Sequence, residues 1–313
     1  MSSVTVLPEL SSKKKRITKD GFILLFLAVP FILFVFAFNY VPLFGWFLSF
    51  VEFRPGVPIT NAPFVGLQYF RWMVTTEFPE LMRVTINTVA LGGLSLLMSP
   101  IPLVLAILLN EVRSTKYKRV MQSVTTLPHF VSWVIVFSLA FSMFASEGFV
   151  NVVLMRLGFI ETRLSVLDNR DAVWGFQTTL AVWKSMGWNA IIYMAAISGL
   201  DAELYEAASI DGAGRFKKAI HITLPGLLPT YFVLLLIGIG FLFSSDLTQI
   251  IMFRNGLVAP RIETIDYYAF RVGVVAASYS YATAVGIVRS FISVTLLFSV
   301  NYMSKVMRGV SIF

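Results

Sequence analysis

Long apolar stretches alternate along this chain with short segments that carry most of the charged side chains. A helix that crosses the hydrocarbon core of a bilayer needs roughly 20 mostly apolar residues. About six stretches reach that length, and each predicts a membrane-spanning helix. The predicted spans cover approximately residues 21–40, 84–109, 120–145, 174–200, 228–251 and 281–303. The pattern predicts an all-α integral membrane protein with about six transmembrane helices.

Prolines occur inside several of the predicted spans, at Pro30, Pro100, Pro102 and Pro128. Each proline removes a backbone donor and favours a kink in its helix. Because Gly and Pro are common in transmembrane helices, we interpret these positions as ordinary irregularity. None of them is assigned an individual role.

The composition agrees with a lipid environment. The chain is 57% hydrophobic and 13% charged, and its mean hydropathy is +0.78. A typical soluble domain has about 25% charged residues, so a soluble fold of this composition would expose more apolar surface than water tolerates. The first span is too long for the core of a signal peptide and is not followed by a small-residue cleavage site. We therefore predict that it is retained.

The basic residues predict the orientation of the chain. They are concentrated in residues 13–19, before the first span, and in residues 113–119, between the second and third spans. Short basic loops remain in the cytoplasm. With an even number of spans, residues 200–225 and both termini are predicted to be cytoplasmic. We divide the chain into a basic tail, residues 1–19, and one six-span domain, residues 20–313.

Several kinds of chemistry are disfavoured by what the sequence lacks. Cysteine is absent, which removes disulfides, thiol nucleophiles and cysteine-containing metal sites. His129 and His221 are the only histidines, and neither has a metal-ligand partner at helical spacing. The net charge of +8 does not form the aromatic-interleaved basic face of a nucleic-acid-binding protein. We predict no metal, no nucleic acid and no catalytic residue.

The predicted cytoplasmic segment of residues 200–225, here called the coupling loop, differs from the other connections. Asp201 can cap the N-terminus of a short helix, and Gly212 can take the left-handed conformation that ends one. A second short helix places Phe216 and Ile220 on one face before Pro225 marks entry to the next span. We predict a helix, a glycine turn and a helix.

The first of these helices is suited to contact with another protein. Ala207 and Ala208 are small and permit close approach, while Glu206 and Asp211 offer charges to basic groups of a partner. The alternative is a plain connection without a partner. The residues alone leave both interpretations open.

A resemblance to a known family adds to this interpretation. Residues 206–213, Glu-Ala-Ala-x-x-Asp-Gly-Ala, closely resemble the EAA signature of bacterial binding-protein-dependent ABC importer permeases. The matching residues further along are Phe216, Ile222, Leu224 and Pro225. Further segments are similar to carbohydrate-type permeases, above all those for complex oligosaccharides and polysaccharides. These segments are Tyr40-Val-Pro-Leu-Phe-Gly, Phe64-Val-Gly-Leu-Gln-Tyr-Phe, Asn87-Thr88 and Glu263-Thr-Ile-Asp.

The resemblance implies a type I ABC importer permease architecture in the bacterial cytoplasmic membrane. It also implies that the coupling loop docks in a cleft of an ATPase. The expected partners are a second permease in a heterodimer, a pair of ATPase subunits, an extracytoplasmic sugar-binding protein and membrane lipids. The chain has no Gly-x-x-x-x-Gly-Lys-Ser/Thr loop, so ATP and magnesium are expected on the ATPase and no cofactor on this chain. The resemblance assigns ATPase docking to Glu206, Ala207, Ala208, Asp211 and Gly212.

Candidate substrate contacts are aromatic and polar side chains that occur together inside spans, since sugars are bound by aromatic faces and directed hydrogen bonds. Two segments qualify, residues 183–189 and residues 241–249, and the resembling family places substrate contacts in these spans. Packing between helices is the alternative for the aromatic residues. The candidates are Trp183, Lys184, Gly187, Trp188, Asn189, Phe243, Ser244, Ser245, Asp246 and Arg289.

Three charged candidates share a depth in the predicted membrane. Lys184, Asp246 and Arg289 fall roughly 8–15 Å from the outer ends of their spans. Charges inside a span are costly and are kept when they are paired or face water. Two interpretations of these charges therefore remain open: a structural ion pair and the wall of a polar pathway. Two cations against one anion would make that pathway positive, so an acidic sugar is conceivable.

Two other functions were weighed against a permease. A membrane-embedded lipid-linked glycosyl or phosphoryl transferase needs acids or histidines clustered at a membrane face, and the carboxylates outside the coupling loop are scattered. An ATP-independent secondary transporter usually has inverted repeats with paired broken helices, and the sequence shows neither. The function expected is ATP-coupled import of oligosaccharides or polysaccharide fragments by alternating access.

Overall fold

The computed structural model describes residues 19–308, and the predicted basic tail therefore lies, except for Lys19, outside the described residues. Within that range the chain is helical, and β-pairing is limited to one isolated antiparallel bridge between Val51 and Phe64. The chain divides into two compact units, the first ending at Phe47 and the second beginning at Leu48. This architecture confirms the all-α fold class.

Most of the described chain consists of α-helices joined by short turns. Numbered in chain order, they are α1 (Lys19–Val35), α2 (Gln68–Thr75), α3 (Phe78–Leu97), α4 (Pro100–Asn110), α5 (Thr115–Thr126), α6 (Trp133–Phe144), α7 (Phe149–Arg156), α8 (Val173–Ser198), α9 (Ala202–Ile210), α10 (Arg215–Lys218), α11 (Leu224–Gly240), α12 (Leu247–Phe253), α13 (Ala259–Ile262), α14 (Ile265–Phe270) and α15 (Tyr279–Arg308). The 3₁₀ segments are Val41–Phe50, Ile59–Asn61 and Leu127–Phe130, and the π turns are Phe36–Tyr40, Ala219–Thr223 and Arg271–Val275.

In the first unit, α1 and the π turn after it expose nearly all of their apolar side chains. A helix that is apolar on every side suits lipid rather than water. In the second unit the core consists of clusters that join neighbouring helices. One joins α2, α3, α14 and α15, another joins α6, α8, α12 and α13, and a third joins α4, α8 and α11. Helix α8 belongs to two of these clusters and is central to the packing of this unit.

Within residues 19–308, five helical stretches are long and apolar enough to cross a membrane. They are Phe22–Phe50, Phe78–Asn110, Trp133–Arg156, Arg215–Gly240 and Tyr279–Val306. The remaining predicted span corresponds to α8, whose 26 residues extend about 39 Å. Helix α8 is long enough to span but more polar than the others, because Gln177, Thr178, Lys184 and Asn189 interrupt its apolar sequence.

Three predicted spans are broken where the hydropathy pattern predicted continuous helices. Residues 84–109 divide at Met98 and Ser99, because Pro100 begins α4. Residues 120–145 divide at 127–132, where Ser132 caps α6 by accepting the Ile135 N–H. Residues 228–251 divide at 241–246. The paired broken helices of a secondary transporter were not visible in the sequence, and these breaks were not predicted individually, so broken helices do not count against a permease.

The first part of the coupling loop folds as the sequence predicts. Asp201 caps α9 by accepting the Glu203 N–H at 2.9 Å, and Gly212 has a φ of +71°. Helix α10 and a π turn at Ala219–Thr223 then lead into α11. The predicted helix and glycine turn are confirmed, whereas the second helix is not separate, because α10 runs through the π turn into α11 as one helical stretch.

Candidate functional site

The surface of the coupling loop is exposed and partly apolar. Ile210 and Phe216 are 87% and 78% exposed, although both are large apolar side chains. The candidate docking residues are exposed as well, except Ala208, which is half-buried. Those residues are Glu206, Ala207, Ala208, Asp211 and Gly212. The loop therefore presents apolar, small and acidic groups together on one short segment.

A cavity of about 580 Å³, here called the central cavity, lies where the three helix breaks meet α8. Met98 and Ser99 line it from the first break, His129 from the second and Ser244 from the third. Irregular backbone at membrane depth is tolerated only where it is buried in protein or faces a water-filled cavity. The breaks and the cavity are thus one structural feature.

Half of the predicted substrate contacts line the central cavity. These are Lys184, Asn189, Ser244, Ser245 and Asp246. Trp183 packs in the cluster around α6 and α12, and Phe243 is buried in the cluster around α15. Trp188 is 43% exposed and stacks on the His129 ring at 4.7 Å. At Gly187 a Cβ atom would overlap the backbone carbonyl of Thr125, so this glycine permits close approach of α5 to α8.

Lys184 and Asp246 contact the same tryptophan and do not form an ion pair with each other. The Lys184 ammonium lies 5.6 Å from the centre of the Trp133 ring and donates to the His129 carbonyl at 2.8 Å. The Trp133 indole donates to Asp246 Oδ2 at 2.6 Å. Asp246 Oδ1 accepts the N–H groups of Thr248 and Gln249, which caps α12. Both charges are held in place on the cavity wall.

Arg289 stabilises the break at residues 241–246 and is absent from the cavity lining. It donates to the Phe243 carbonyl at 2.9 Å and to Ser244 Oγ at 2.8 Å, and it pairs with Asp266 at 2.5 Å. Asp266 also accepts the Ser245 N–H at 2.8 Å. Because Asp266 neutralises Arg289, the expected excess of positive charge in the pathway was wrong. Arg289 has its own carboxylate, and Lys184 and Asp246 balance each other.

Several cavity residues were not among the predicted contacts. Thr178 is 5% exposed, and its hydroxyl has no hydrogen-bond partner within the described part of the chain. Beside it, Gln249 donates to the side-chain oxygen of Gln177 at 2.8 Å. Thr178, Ser185 and Asn189 lie at i, i+7 and i+11 on α8, and all three line the cavity. That polar stripe on α8 was the signal in the sequence that could have identified Thr178 and Ser185.

Two segments that resemble the family directly contact each other. The Asn87 side chain donates to the carbonyls of Pro260 and Glu263 at 3.0 and 2.9 Å. Thr88 Oγ1 accepts the N–H of Ile265 at 2.9 Å. These bonds fix α3 to the turn that precedes α14. This turn holds Asp266 in position, and Asp266 holds the helix break at residues 241–246.

An ion-pair network surrounds the nearly buried carboxylate of Glu263. It pairs with Arg83 at 2.5 Å and with Arg254 at 2.6 Å. Arg83 and Arg271 also pair with Glu80, at 2.7 and 2.9 Å. Removing either arginine would leave part of the charge of this buried carboxylate uncompensated, which is strongly destabilising. The network fastens the N-terminus of α3 to α12 and α14.

The comparisons with known proteins agree with these features. The profile of a family described as "Binding-protein-dependent transport system inner membrane component" matches residues 98–309. Protein LplB of Bacillus subtilis (strain 168) is 37% identical over 282 residues, which cover 89% of this chain and 87% of LplB. The polygalacturonan/rhamnogalacturonan transport system permease protein YteP of the same organism is 33% identical, over 88% of this chain and 86% of YteP.

Two solved structures have the same fold. A bacterial ABC transporter involved in the import of the acidic polysaccharide alginate contains a chain that is 31% identical, with a TM-score of 0.81 over 93% of this chain and 97% of that chain. The second is a complex of the bacterial alginate transporter with an alginate pentasaccharide-bound periplasmic protein. It contains a chain that is 30% identical, with a TM-score of 0.82 over 94% of this chain and 98% of that chain.

These likenesses decide between the functions weighed from the sequence. YteP is a transport system permease and the matched family is a transport system component, so neither a transferase nor a secondary transporter finds support. The fold is that of an ABC importer permease, and this chain is a transport component rather than an enzyme. The chain belongs to the family of binding-protein-dependent transport system inner membrane components and is the permease of an ABC importer for oligosaccharides.

Proposed function

We propose that this permease passes fragments of a polysaccharide through the central cavity while a separate ATPase docks on its coupling loop. The observation that carries the proposal is the central cavity itself, where helix breaks and an orphaned hydroxyl meet in an otherwise apolar bundle. Its wall is mainly apolar but carries several polar side chains, a combination that suits a sugar, which has both apolar faces and hydroxyl groups. Its volume of about 580 Å³ lies within the usual range of small-molecule sites.

The cavity wall offers the hydrogen-bonding groups that a sugar requires. The Thr178 hydroxyl is a donor and an acceptor without a partner among the described residues. The Lys184 ammonium has three donors, of which one reaches the His129 carbonyl. Asn189 adds an amide on the same face of α8. Groups of this kind form and break hydrogen bonds with successive hydroxyls of a sugar chain as it moves.

The relatives support the choice of a polysaccharide fragment delivered by a binding protein. YteP is a permease for polygalacturonan and rhamnogalacturonan, and the alginate importer was solved with its pentasaccharide-bound periplasmic protein. By analogy, this chain receives its sugar from an extracytoplasmic binding protein. Oligogalacturonides are the first substrate to test, since YteP is among its similar relatives.

The coupling loop supports docking of the ATPase. It exposes Ile210 and Phe216, which are costly to leave in water, beside the acidic side chains of Glu206 and Asp211. In this proposal ATP and magnesium bind only to the ATPase pair, and a second permease completes the pore as a heterodimer. The coupling loop and both termini then lie in the cytoplasm. ATP-driven closure of the ATPase pair moves the loop and switches the pore between its inward- and outward-facing states.

Docking is tested on a complex assembled from this chain, a second permease, an ATPase pair and a sugar-binding protein. Glu206→Lys reverses a charge that is expected to face a basic residue, and like charges across an interface cost several kcal/mol. We expect the complex to lose its ATPase on size-exclusion chromatography and vesicles to stop importing oligogalacturonides. Glu161→Lys, which reverses an exposed carboxylate far from the coupling loop, serves as the control. Full ATPase retention with normal uptake in Glu206→Lys would refute the docking surface.

A further inference from the structure

Helix α9 of the coupling loop is attached to the membrane helices by few contacts. Helix α9 has nine residues, and none of them is buried. Its strongest link to the rest of the chain is a hydrogen bond of 2.9 Å between the Tyr205 hydroxyl and Thr223 Oγ1. Thr223 is completely buried and is the last residue before α11. A directional bond therefore joins the docking helix to the base of α11.

The other contacts of α9 transmit a displacement less directly. Lys218 donates to Ser209 Oγ at 2.5 Å, and Ser209 donates to the Tyr205 carbonyl at 2.6 Å, but both bonds lie within residues 205–218 and do not reach the residue from which α11 starts. The Leu200 side chain packs closely on Gly226, where a Cβ atom would lie 2.6 Å from a Leu200 methyl. An apolar contact resists compression but has no preferred direction. The Tyr205–Thr223 bond alone among these contacts combines direction with burial, which strengthens it electrostatically.

The chain conformation around Thr223 marks a joint. Residues 219–223 form a π turn, a rare conformation that occurs frequently at functional sites. Helix α11 begins immediately after it and continues through Pro229 to Gly240 without interruption. Its 17 residues extend about 25 Å. A continuous helix thus lies between two irregular segments, the π turn at its start and the break of residues 241–246 at its end.

The far end of α11 reaches the central cavity. Phe241 and Leu242 follow the helix directly and line the cavity together with Ser244, Ser245 and Asp246. Arg289 holds the carbonyl of Phe243 within this break. A tilt or shift of α11 therefore changes the position of one wall of the cavity.

We infer that the Tyr205–Thr223 hydrogen bond is the joint through which movement of the coupling loop displaces α11 and, with it, the cavity wall at residues 241–246. This inference rests on the proposed docking of the ATPase at the coupling loop. Tyr205 and Thr223 are positioning residues in this mechanism. They are required to convert ATP hydrolysis into import, and docking itself does not depend on their bond.

The inference is tested by the ratio of sugar imported to ATP hydrolysed. The full complex is reconstituted in vesicles with its binding protein, and oligogalacturonides are the transported probe. Tyr205→Phe and Thr223→Val each remove the hydrogen bond at nearly constant volume. We expect the import ratio to fall about fivefold in each variant, as loss of one buried hydrogen bond predicts. ATPase co-elution should not change, and Thr223→Ser should keep the wild-type ratio.

Two further measurements separate coupling from general damage. The double variant Tyr205→Phe/Thr223→Val should lose no more than either single variant, because both remove the same bond. Tyr117→Phe, at an exposed tyrosine of α5, is the matched control and should behave as wild type. If Thr223→Val does not assemble, Tyr205→Phe alone carries the test.

A distance measurement tests the same joint without any sugar. Spin labels on cysteines introduced at the exposed positions Glu203 and Ile237 report whether α9 and α11 move together when ATP binds. In the otherwise native chain we expect a single distance between the two labels, which ATP binding does not change. In Tyr205→Phe we expect a broadened distribution of this distance. A wild-type import ratio and an unbroadened distance in Tyr205→Phe would overturn the joint. Loss of the ATPase from this variant would also overturn it, whereas retention of the ATPase by Glu206→Lys tells against the docking proposal instead.

Discussion

At the scale of single residues, Thr178 gives the most direct test of the pathway. Thr178 lines the central cavity, and its hydroxyl is buried and unpartnered in the described chain. If the hydroxyl binds passing sugar, Thr178→Val should lower the uptake rate about fivefold to tenfold, since the variant keeps the shape and removes the bond. The measurement is uptake of oligogalacturonides by reconstituted vesicles.

The neighbouring threonine supplies the control. Thr179 is exposed, and its hydroxyl donates to the Gly175 carbonyl within α8. Thr179→Val should transport as wild type. Equal uptake rates for Thr178→Val and wild type would remove Thr178 from the pathway, and equal losses in both variants would indicate damage to α8.

Among the residues that line the cavity, the sequence identified the charged ones more readily than the uncharged ones. Lys184 and Asp246 stand out in an apolar span, and both line the cavity. Thr178 did not stand out, because threonine is common in apolar helices and its significance depends on a missing partner. Arg289 was recognised as unusual, but its role depends on Asp266, which the chain brings near only by folding.

At the scale of helices, Gly187 fixes the distance between α8 and α5. A Cβ atom there would overlap the Thr125 carbonyl, and backbone cannot move aside as a flexible side chain does. Gly187→Ala should destabilise the purified complex by about 1–3 kcal/mol, the usual cost of overpacking. Thermal unfolding of the detergent-solubilised complex measures the change.

A second glycine on α8 provides the comparison. Gly175 has open space where a Cβ atom would lie. Gly175→Ala should therefore leave the unfolding temperature unchanged or raise it, because alanine favours the helix. If Gly187→Ala unfolds at the same temperature as Gly175→Ala, the close contact of α5 and α8 is not required for stability.

The turn of the coupling loop is tested in the same manner. Gly212 has a φ of +71°, which proline cannot adopt, and its N–H donates to the Ser209 carbonyl. Gly212→Pro should rebuild the turn, so that ATPase retention and uptake both fall at least about tenfold. Gly214 has a φ of −69°, which suits proline, so Gly214→Pro should retain both activities. Comparable behaviour of the two variants would contradict a requirement for the left-handed turn.

Hydropathy located the helices but missed the breaks within them. The average over a window stays apolar through residues 127–132 and 241–246, since the backbone turns there without a change in hydrophobicity. Proline at positions 100 and 128 was visible in the sequence, but it is equally common in unbroken membrane helices. The glycine turn and the Asp201 cap were predictable because their signals are local.

At the scale of the whole molecule, the orientation of the chain is a prediction from its basic residues. The absence of native cysteine makes single-cysteine labelling direct. A cysteine at position 212 should be labelled by a membrane-impermeant maleimide only after the cells are opened, and one at position 160 should be labelled in intact cells. Labelling of position 212 in intact cells would reverse the topology and exclude ATPase docking at the coupling loop.

The polar character of α8 also bears on how the protein is made. Lys184 alone costs about 2.5–3.5 kcal/mol when a helix enters the bilayer through the translocon, and Gln177 and Asn189 add to that cost. Helix α8 therefore gains little from entering lipid by itself. Its insertion depends on neighbours that cover its polar face, and α3, α4 and α5, which pack against it, leave the ribosome before it, so α8 should enter the bilayer together with these earlier helices.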